Sequence, residues 1–278
     1  MNKSEKIKFL RNLKLFAGTL SKKVTLNNEW IIRGFIDIAK KIYPLSTDSK
    51  LVSKILEIHL FPELLKFAEQ ENYKIEPASR QNYYPDFTFI SKHDSTIKFA
   101  VDLKTTYRDE KYPDFCNGFT LGSHGEYFIE RDSTKNIEYP YNSYSGHFCL
   151  GLIYSRNVLK TYDTQIYYVS NIDNIPAVIK NFVFFAAEKW TIASDKGGSG
   201  NTANIGRINY IDDILHDNGV FAKAGEELFN DYWINFGKIS IQGKNGAYKK
   251  LSSFSEYLLY RGLPETLNNP RKLRCEKK

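Results

Sequence analysis

The stretch PDFTFISKHDSTIKFAVDLK, residues 85–104, indicates a β-hairpin at the centre of the fold. Two strand-like runs, 87–90 and 97–104, flank the turn-forming residues SKHDST. If these runs pair antiparallel, facing residues have a constant index sum, and the pair Asp86 and Asp102 is centred on position 94, inside the turn. We therefore expect the two aspartates to lie side by side, about 5 to 6 Å apart.

A lysine accompanies this pair of carboxylates. Residues two apart in a strand point the same way, so Asp102 and Lys104 share a face opposite the apolar residues 99, 101 and 103. Adjacent carboxylates repel each other unless a cation lies between them or one is protonated, and a hard divalent cation prefers such oxygen ligands. Glu57, in the preceding helix, is a candidate third carboxylate that the sequence does not position. The alternative is a surface ion pair between Asp102 and Lys104.

The rest of the chain mixes helical and strand-like patterns. A helix begins after Thr47 or Asp48, and Pro62 is predicted to kink or break it. Further strands are expected at 148–154, 165–169 and 182–192, helices at 5–16, 226–236 and 253–261, and a glycine-rich loop at 195–206. This order predicts an α/β or α+β fold, in which a mixed central β-sheet is flanked by helices. We expect a single domain over residues 1–278, with an N-terminal extension, 1–28, of unknown role.

Composition limits the class of protein. The 278 residues carry a formal net charge of +7, with a pI of about 9.0, which favours a polyanionic partner. The three cysteines have no CxxC spacing, which argues against a zinc site and a disulfide framework. We find no signal peptide and no apolar run long enough to span a bilayer, so a cytoplasmic location is expected.

Several motifs together resemble a known enzyme family. Pro85-Asp86 with Asp102-x-Lys104 resembles the PD-(D/E)xK nucleases, and in particular the EcoRV-type type II restriction endonucleases. The segments that carry this resemblance, in the family's order from about residue 41 to about residue 262, are KIYPLSTDSK (41–50), QNYYPDFT (81–88), VDLKTTY (101–107), GFTLG (118–122), STKNIEYP (133–140) and GGSGNTANIG (197–206).

The resemblance implies a restriction-endonuclease-like core and Mg²⁺-dependent hydrolysis of double-stranded DNA, leaving a 5′-phosphate and a 3′-hydroxyl. It assigns metal binding and catalysis to Asp86 and Asp102, and it makes Lys104 the catalytic lysine. Glu57 falls where the family keeps a further acidic residue that influences metal binding.

The glycine-rich segment is predicted to read DNA bases. Its composition alone is typical of a flexible surface turn. Asn201 can pair with adenine in bidentate fashion, and the Thr202 methyl group can contact a thymine methyl group. The resemblance implies the palindromic site GATATC, cut bluntly at its centre. It assigns recognition to Gly198, Ser199, Gly200, Asn201, Thr202 and Asn204.

Other DNA contacts are expected outside that segment. Gln81 matches a family loop that lies at the minor groove. Phosphate contacts, or else ordinary caps and surface charges, are expected at Ser49, Lys50, Thr106 and Lys135. The chain departs from the family pattern at Tyr83, Ala203 and Glu126, which puts the affinity and the flanking preference in doubt more than the chemistry.

A palindromic target predicts a two-fold symmetric homodimer with one metal site per subunit. The N-terminal part and residues 160–180 are the expected subunit contacts, and the resemblance implies a companion DNA methyltransferase that protects host DNA. Two alternatives stay open at this point: another PD-(D/E)xK nuclease that acts in repair or junction resolution, and a catalytically inactive DNA-binding protein.

Overall fold

The structure, a computed structural model, describes residues 3–157, 165–198, 201–242 and 247–271. The helices are α1 (Lys3–Val24), α2 (Ser49–Gln70), α3 (Ile211–Leu215), α4 (Glu226–Asn235) and α5 (Phe254–Tyr260). The strands are β1 (Thr25–Leu26), β2 (Glu29–Trp30), β3 (Gly34–Ile36), β4 (Lys41–Pro44), β5 (Tyr73–Pro77), β6 (Phe87–Ser91), β7 (Lys98–Tyr107), β8 (Thr120–Ser123), β9 (Gly146–Arg156), β10 (Tyr167–Tyr168), β11 (Ile179–Glu188), β12 (Ala193–Gly198), β13 (Asn201–Arg207), β14 (Ser240–Gln242) and β15 (Tyr248–Lys250).

A seven-stranded mixed sheet organises the molecule, in the order β1-β2-β11-β9-β7-β6-β5. The β7–β9 pair is parallel, whereas β5–β6, β6–β7 and β9–β11 are antiparallel. Helices α1 and α2 contribute to the apolar cluster on one face, and α3, α4 and α5 contribute to the cluster on the other. The predicted fold class, a mixed sheet flanked by helices, is confirmed.

The β6–β7 hairpin has the predicted register. Phe87 pairs with Val101 and Phe89 with Phe99, so the sequence numbers of each facing pair add up to 188. Asp86 lies directly before β6, and Asp102 directly follows Val101. Apolar clusters cover both faces of β7, with Phe99 and Val101 in one cluster and Ala100 in the other, so the side of Asp102 is buried rather than solvated.

Helix α2 begins where predicted, because the Asp48 carboxylate accepts hydrogen bonds from the amides of Lys50 and Leu51, each at 3.0 Å. The predicted break at Pro62 is wrong, since the helix continues to Gln70. Proline removes one helical hydrogen bond, and the carbonyl left without that donor belongs to Ile58. Ile58 is exposed, so water can satisfy this carbonyl.

The predicted loop at 195–206 is wrong, because strands β12 and β13 pair there and β8 extends them to a three-stranded sheet. The glycines serve close packing within this sheet. A Cβ atom on Gly206 would lie 2.3 Å from the Lys196 carbonyl oxygen, and one on Gly198 would lie 2.6 Å from Cγ2 of Thr120. The glycines suggested a loop, but at Gly198 and Gly206 they allow neighbouring strands to approach closely.

Other predicted elements shift at their ends. Strand 165–169 is reduced to β10, which a 3₁₀ helix, Val169–Asn174, follows. The run 182–192 divides into β11 and a second 3₁₀ helix, Lys189–Ile192. The predicted helices at 226–236 and 253–261 are confirmed as α4 and α5, and the predicted helix at 5–16 extends to the whole of α1.

Helix α1 belongs to the core. Its Phe9, Leu13 and Leu20 are almost completely buried in the cluster that covers the central sheet. The buried Lys6 ammonium pairs with Glu226 at 2.6 Å and Glu188 at 3.2 Å, which joins α1 to the start of α4 and the end of β11. Within the described ranges, no helix has the length and apolar character needed to cross a membrane.

Candidate active site

Asp86 and Asp102 are held together through the backbone at the start of the β6–β7 pairing. The Asp86 amide donates to Oδ1 of Asp102 at 3.2 Å, and the Leu103 amide donates to Oδ2 of Asp86 at 2.7 Å. Burial, and next the Asp102 charge, raise the pKa of Asp86 to about 6. Two adjacent buried carboxylates repel each other, so a nearby positive charge is needed to stabilise both in the ionised form.

Lys104 supplies part of that charge. Its ammonium lies 2.9 Å from Oδ2 of Asp102. Burial lowers the pKa of Lys104, but the attraction of Asp102 and Asp86 outweighs it, and the net pKa is raised above the ordinary lysine value. Lys104 is therefore protonated and donates a hydrogen bond to Asp102.

The donor set fits a hard divalent cation. Mg²⁺ usually takes one or two carboxylates and completes its coordination with water and phosphate oxygens. Asp86 and Asp102 offer two carboxylates that share one buried location. In the part of the chain that the structure describes, no group of three or more His, Cys, Asp or Glu residues converges as a metal cluster. The two carboxylates therefore suit a cation whose remaining oxygen ligands come from water and substrate.

Glu57 lies on α2, in the wall of the cavity that Asp86 also lines. Its carboxylate pairs with Lys54 at 2.7 Å and contributes, as the smallest of the causes, to the raised pKa of Asp86. The third carboxylate is thus near enough to act on Asp86, but it does not join a three-carboxylate cluster. Its part in metal binding stays a prediction.

A cavity of about 940 Å³ opens beside Asp86. Several residues predicted to contact DNA line it together, although they come from α2, a turn and β7: Ser49, Lys50, Gln81 and Thr106. The Thr106 hydroxyl donates to the Asn117 carbonyl at 2.6 Å, so this hydroxyl is already engaged within the protein. Further residues that line the cavity, without a role predicted from the sequence, include Ser79, Arg80, Thr105 and Tyr107.

The predicted recognition residues lie on the separate β12–β13–β8 sheet. Gly198 is buried at the end of β12, and Asn204 is half-buried opposite Ser123. Ser199 and Gly200 lie outside the described residues, and for Asn201 and Thr202 only the strand is described. The predicted base contacts are therefore neither confirmed nor contradicted.

Lys135 and Glu126 are paired with each other. Their charged groups lie 2.8 Å apart, and both side chains are exposed. The hydrogen bond from Lys135 lowers the pKa of Glu126, so the acidic residue that departs from the family pattern is neutralised locally by the lysine predicted to contact phosphate.

Sequence reasoning also missed a buried lysine near the aspartates. The Lys189 side chain is 3% exposed, and its ammonium lies 5.2 to 5.6 Å from the rings of Tyr84, Phe128 and Tyr141. Burial lowers the pKa of Lys189 to about 8, and the charge of Asp102 opposes that change. The only signal in the sequence is a lysine directly after an apolar strand, in FVFFAAEKW.

A mixed sheet that presents adjacent aspartates and a lysine beside an open cleft is typical of the PD-(D/E)xK class of nucleases. The family model described as restriction endonuclease EcoRV matches residues 26–262. The type II restriction enzyme EcoRV of Escherichia coli is 36% identical over 237 residues, which is 85% of this chain and 94% of that protein. The chain belongs to the EcoRV restriction endonuclease family.

Proposed function

We propose that this protein is a Mg²⁺-dependent type II restriction endonuclease that hydrolyses double-stranded DNA at a palindrome and leaves 5′-phosphate ends. The observation that carries the proposal is the set of Asp86, Asp102 and Lys104, joined by contacts of 2.7 to 3.2 Å and bordering an open cavity. A basic protein, with a net charge of +7, suits a polyanionic substrate.

In this proposal the carboxylates of Asp86 and Asp102 hold the magnesium ion. When bound, the ion draws electron density from the scissile phosphate. Lys104 keeps its proton and donates to a phosphoryl oxygen, where negative charge grows as the oxygen of an attacking water bonds to phosphorus. The attacking water loses one proton to solvent as the bond from phosphorus to the 3′ oxygen breaks, and the 3′ oxygen takes up one proton from solvent. The products carry a 3′-hydroxyl and a 5′-phosphate.

Glu57 acts on the metal site through its charge. Its carboxylate raises the pKa of Asp86, so it adds to the negative potential that attracts a cation to the cleft. The ion pair with Lys54 moderates this effect. We propose that Glu57 influences metal binding in this way.

The cleft carries the backbone contacts to DNA. Ser49 and Lys50 lie in the first turn of α2, in the wall of the cavity, where the Ser49 hydroxyl and the Lys50 ammonium can donate to phosphate. Gln81 lies on the same wall, in the turn before Asp86. The Thr106 hydroxyl is engaged with the Asn117 carbonyl, so a phosphate contact by this hydroxyl requires that hydrogen bond to open. Lys135 would contact phosphate only after its ion pair with Glu126 breaks.

Sequence reading is proposed for strands β12 and β13, residues 193–207, called the reading hairpin from here on. Gly198, Ser199 and Gly200 let the backbone approach base edges, and Asn201 and Thr202 recognise adenine and thymine. Asn204 lies on the same strand as Asn201. The proposed site is GATATC, cut bluntly at its centre, as the family resemblance implies.

A palindromic target suits a homodimer. An exposed apolar surface on the small β3–β4–β10 sheet supports one, since a second copy of the chain would cover it. This surface joins the N-terminal part to part of the predicted 160–180 segment, and its exposed side chains include Phe35, Ile36, Ile38, Tyr168, Val169 and Ile172. Residues 158–164 lie outside the described part. We place the enzyme in the cytoplasm, with a companion methyltransferase that protects host DNA.

Digestion of plasmid and random-sequence DNA with Mg²⁺ tests the proposal. Discrete fragments whose sequenced ends are blunt and fall at the centre of GATATC are expected. Another fixed site would overturn the target but not the enzyme class. Smears or structure-specific nicks would indicate a repair or junction nuclease instead, and absence of cutting would indicate an inactive DNA-binding protein.

A further inference from the structure

Strand β13 of the reading hairpin pairs with β8, and strand β12 is joined to the core by hydrogen bonds from Tyr232 and Phe254 to Asp195. We propose that His124, directly after β8, is a positioning residue that sets the place of the reading hairpin and so determines how sharply the enzyme discriminates between DNA sequences. This inference rests on the proposed role of the hairpin in base reading and names a residue on which that role depends.

The backbone of His124 holds the middle of β13. Its amide donates to the Ala203 carbonyl at 3.0 Å, and the preceding residue, Ser123, pairs with Asn204. The Ser123 hydroxyl also lies within 3.5 Å of the Ala203 carbonyl oxygen. The carbonyl of Ala203 therefore faces two donors from β8 and the residue after it. Asn204, a predicted recognition residue, is adjacent in sequence and joined to the same edge.

The side chain of His124 joins that edge to helix α4. Its ring centroid lies 5.2 Å from that of Trp233, with planes inclined at 40°, and 5.4 Å from that of Phe236, in an edge-to-face arrangement at 78°. Trp233 is fully buried, in the same core cluster as Phe229 and Tyr232. One end of His124 is thus fixed to a rigid core and the other to the strand that is proposed to read bases.

The position of this strand matters because bidentate recognition of a base requires both hydrogen bonds at once. Ala203 departs from the family's threonine and offers no hydroxyl to fix the strand from its own side. The catalytic residues do not depend on this attachment, since Asp86, Asp102 and Lys104 belong to the central sheet. Loss of the His124 ring should therefore reduce discrimination more than catalysis.

The test compares cleavage of duplex oligonucleotides that carry the mapped site with duplexes that carry each single base-pair change, all at one salt and Mg²⁺ concentration. For His124→Ala, we expect the ratio of kcat/KM at the cognate site to that at variant sites to fall about tenfold or more, the loss expected when one bidentate contact is disturbed. The single-turnover rate on bound cognate DNA should change less. His124→Phe keeps the ring contacts and should restore the ratio.

Asn201→Ala is the control that separates this inference from the proposed function. If Asn201→Ala lowers the ratio and His124→Ala leaves it unchanged, the inference is wrong and base reading by the hairpin stands. If Asn201→Ala leaves the ratio unchanged, base reading by the hairpin is itself wrong. A ratio in His124→Phe as low as in His124→Ala would also overturn the inference, because it would show that a ring nitrogen, and not the ring contacts with Trp233 and Phe236, carries the effect. Should His124→Ala fail to fold, Phe236→Leu removes the same ring contact from α4, and an unchanged ratio there overturns the inference equally.

Discussion

The amide of Asp86 donates to the carboxylate of Asp102, and the residue after Asp102 returns a hydrogen bond to the carboxylate of Asp86. Each aspartate is therefore oriented by the backbone that carries the other. These hydrogen bonds hold the two carboxylates side by side, so they need little reorganisation to share a cation. Burial and repulsion between the two carboxylates raise the pKa of Asp86 to about 6, and a bound cation would reduce this repulsion.

Replacement of Asp102 by alanine should abolish cleavage. The variant loses one proposed metal ligand and the acceptor that orients Asp86, and we expect the rate to fall by about 10³-fold or more. Plasmid cleavage with saturating Mg²⁺ measures the loss, with circular dichroism as the check on folding. Glu69→Ala, at an exposed carboxylate on α2, is the control and should cut normally. Appreciable Mg²⁺-dependent cutting by Asp102→Ala would remove this residue from the site.

Lys104→Met should lower the single-turnover rate by about 10²- to 10³-fold, the range for loss of one donor that stabilises developing charge. In the proposed mechanism Lys104 keeps its proton, so the pH dependence of the residual rate should keep its shape. Lys98→Met, on the same strand, is the matched control, since its ammonium donates to the Ser95 carbonyl in the hairpin turn. Equal rates for the two variants would contradict the role of Lys104.

The β6–β7 hairpin could be predicted because the features that determine it lie within one short stretch of sequence. A turn, two alternating runs and a constant index sum are properties of twenty consecutive residues, and the register followed from them. The break at Pro62 and the loop at 195–206 were wrong because the deciding contacts are not local. Exposure of Ile58 lets α2 tolerate its proline, and the approach of Thr120 to Gly198 makes a glycine suitable for a strand.

The residues of the candidate site also differ in whether local sequence or tertiary packing brings them together. Asp86, Asp102 and Lys104 lie within nineteen residues of one another along the chain, and the hairpin alone brings them together. Lys189 and His124 reach their surroundings through tertiary packing, and nothing in the neighbouring sequence indicates the rings of Tyr84 or Trp233 that lie beside them. For Glu57, the helix could be predicted but the distance from α2 to β6 could not.

Helix α1 should be needed for stability, although it lies outside the family match. Phe9 is 1% exposed and stacks on Phe99 of β7 with centroids 4.3 Å apart. Phe9→Ala should lower the free energy of unfolding by about 3 to 5 kcal/mol, measured by urea denaturation. Leu15→Ala, at an exposed position of the same helix, should change it by no more than about 0.5 kcal/mol. A small effect at Phe9 would mean that α1 is not part of the folding unit.

Lys189→Met should change the dependence of stability on pH. Burial holds the pKa of Lys189 at about 8, against 10.5 for an ordinary lysine. Between these values the folded protein releases a proton that the unfolded chain keeps, so the free energy of unfolding of the unmodified protein should rise with pH. The rise relative to the variant should reach about 3 kcal/mol over this window.

Urea denaturation at pH 7, 8.5 and 10 measures this difference. Lys8→Met, at an exposed position on α1, is the matched control. A gap between the unmodified protein and Lys189→Met that stays constant with pH would show that Lys189 does not titrate in this range.

The carboxylates and the reading hairpin occupy different sheets, joined by backbone pairing to different neighbours. If β12 and β13 read bases as proposed, mutations that alter the preferred target can accumulate on the β12–β13–β8 sheet while the proposed hydrolytic residues are selected separately. An engineer who wishes to redirect this enzyme to a new sequence should diversify that small sheet, together with its support on α4, and leave the 85–104 hairpin untouched.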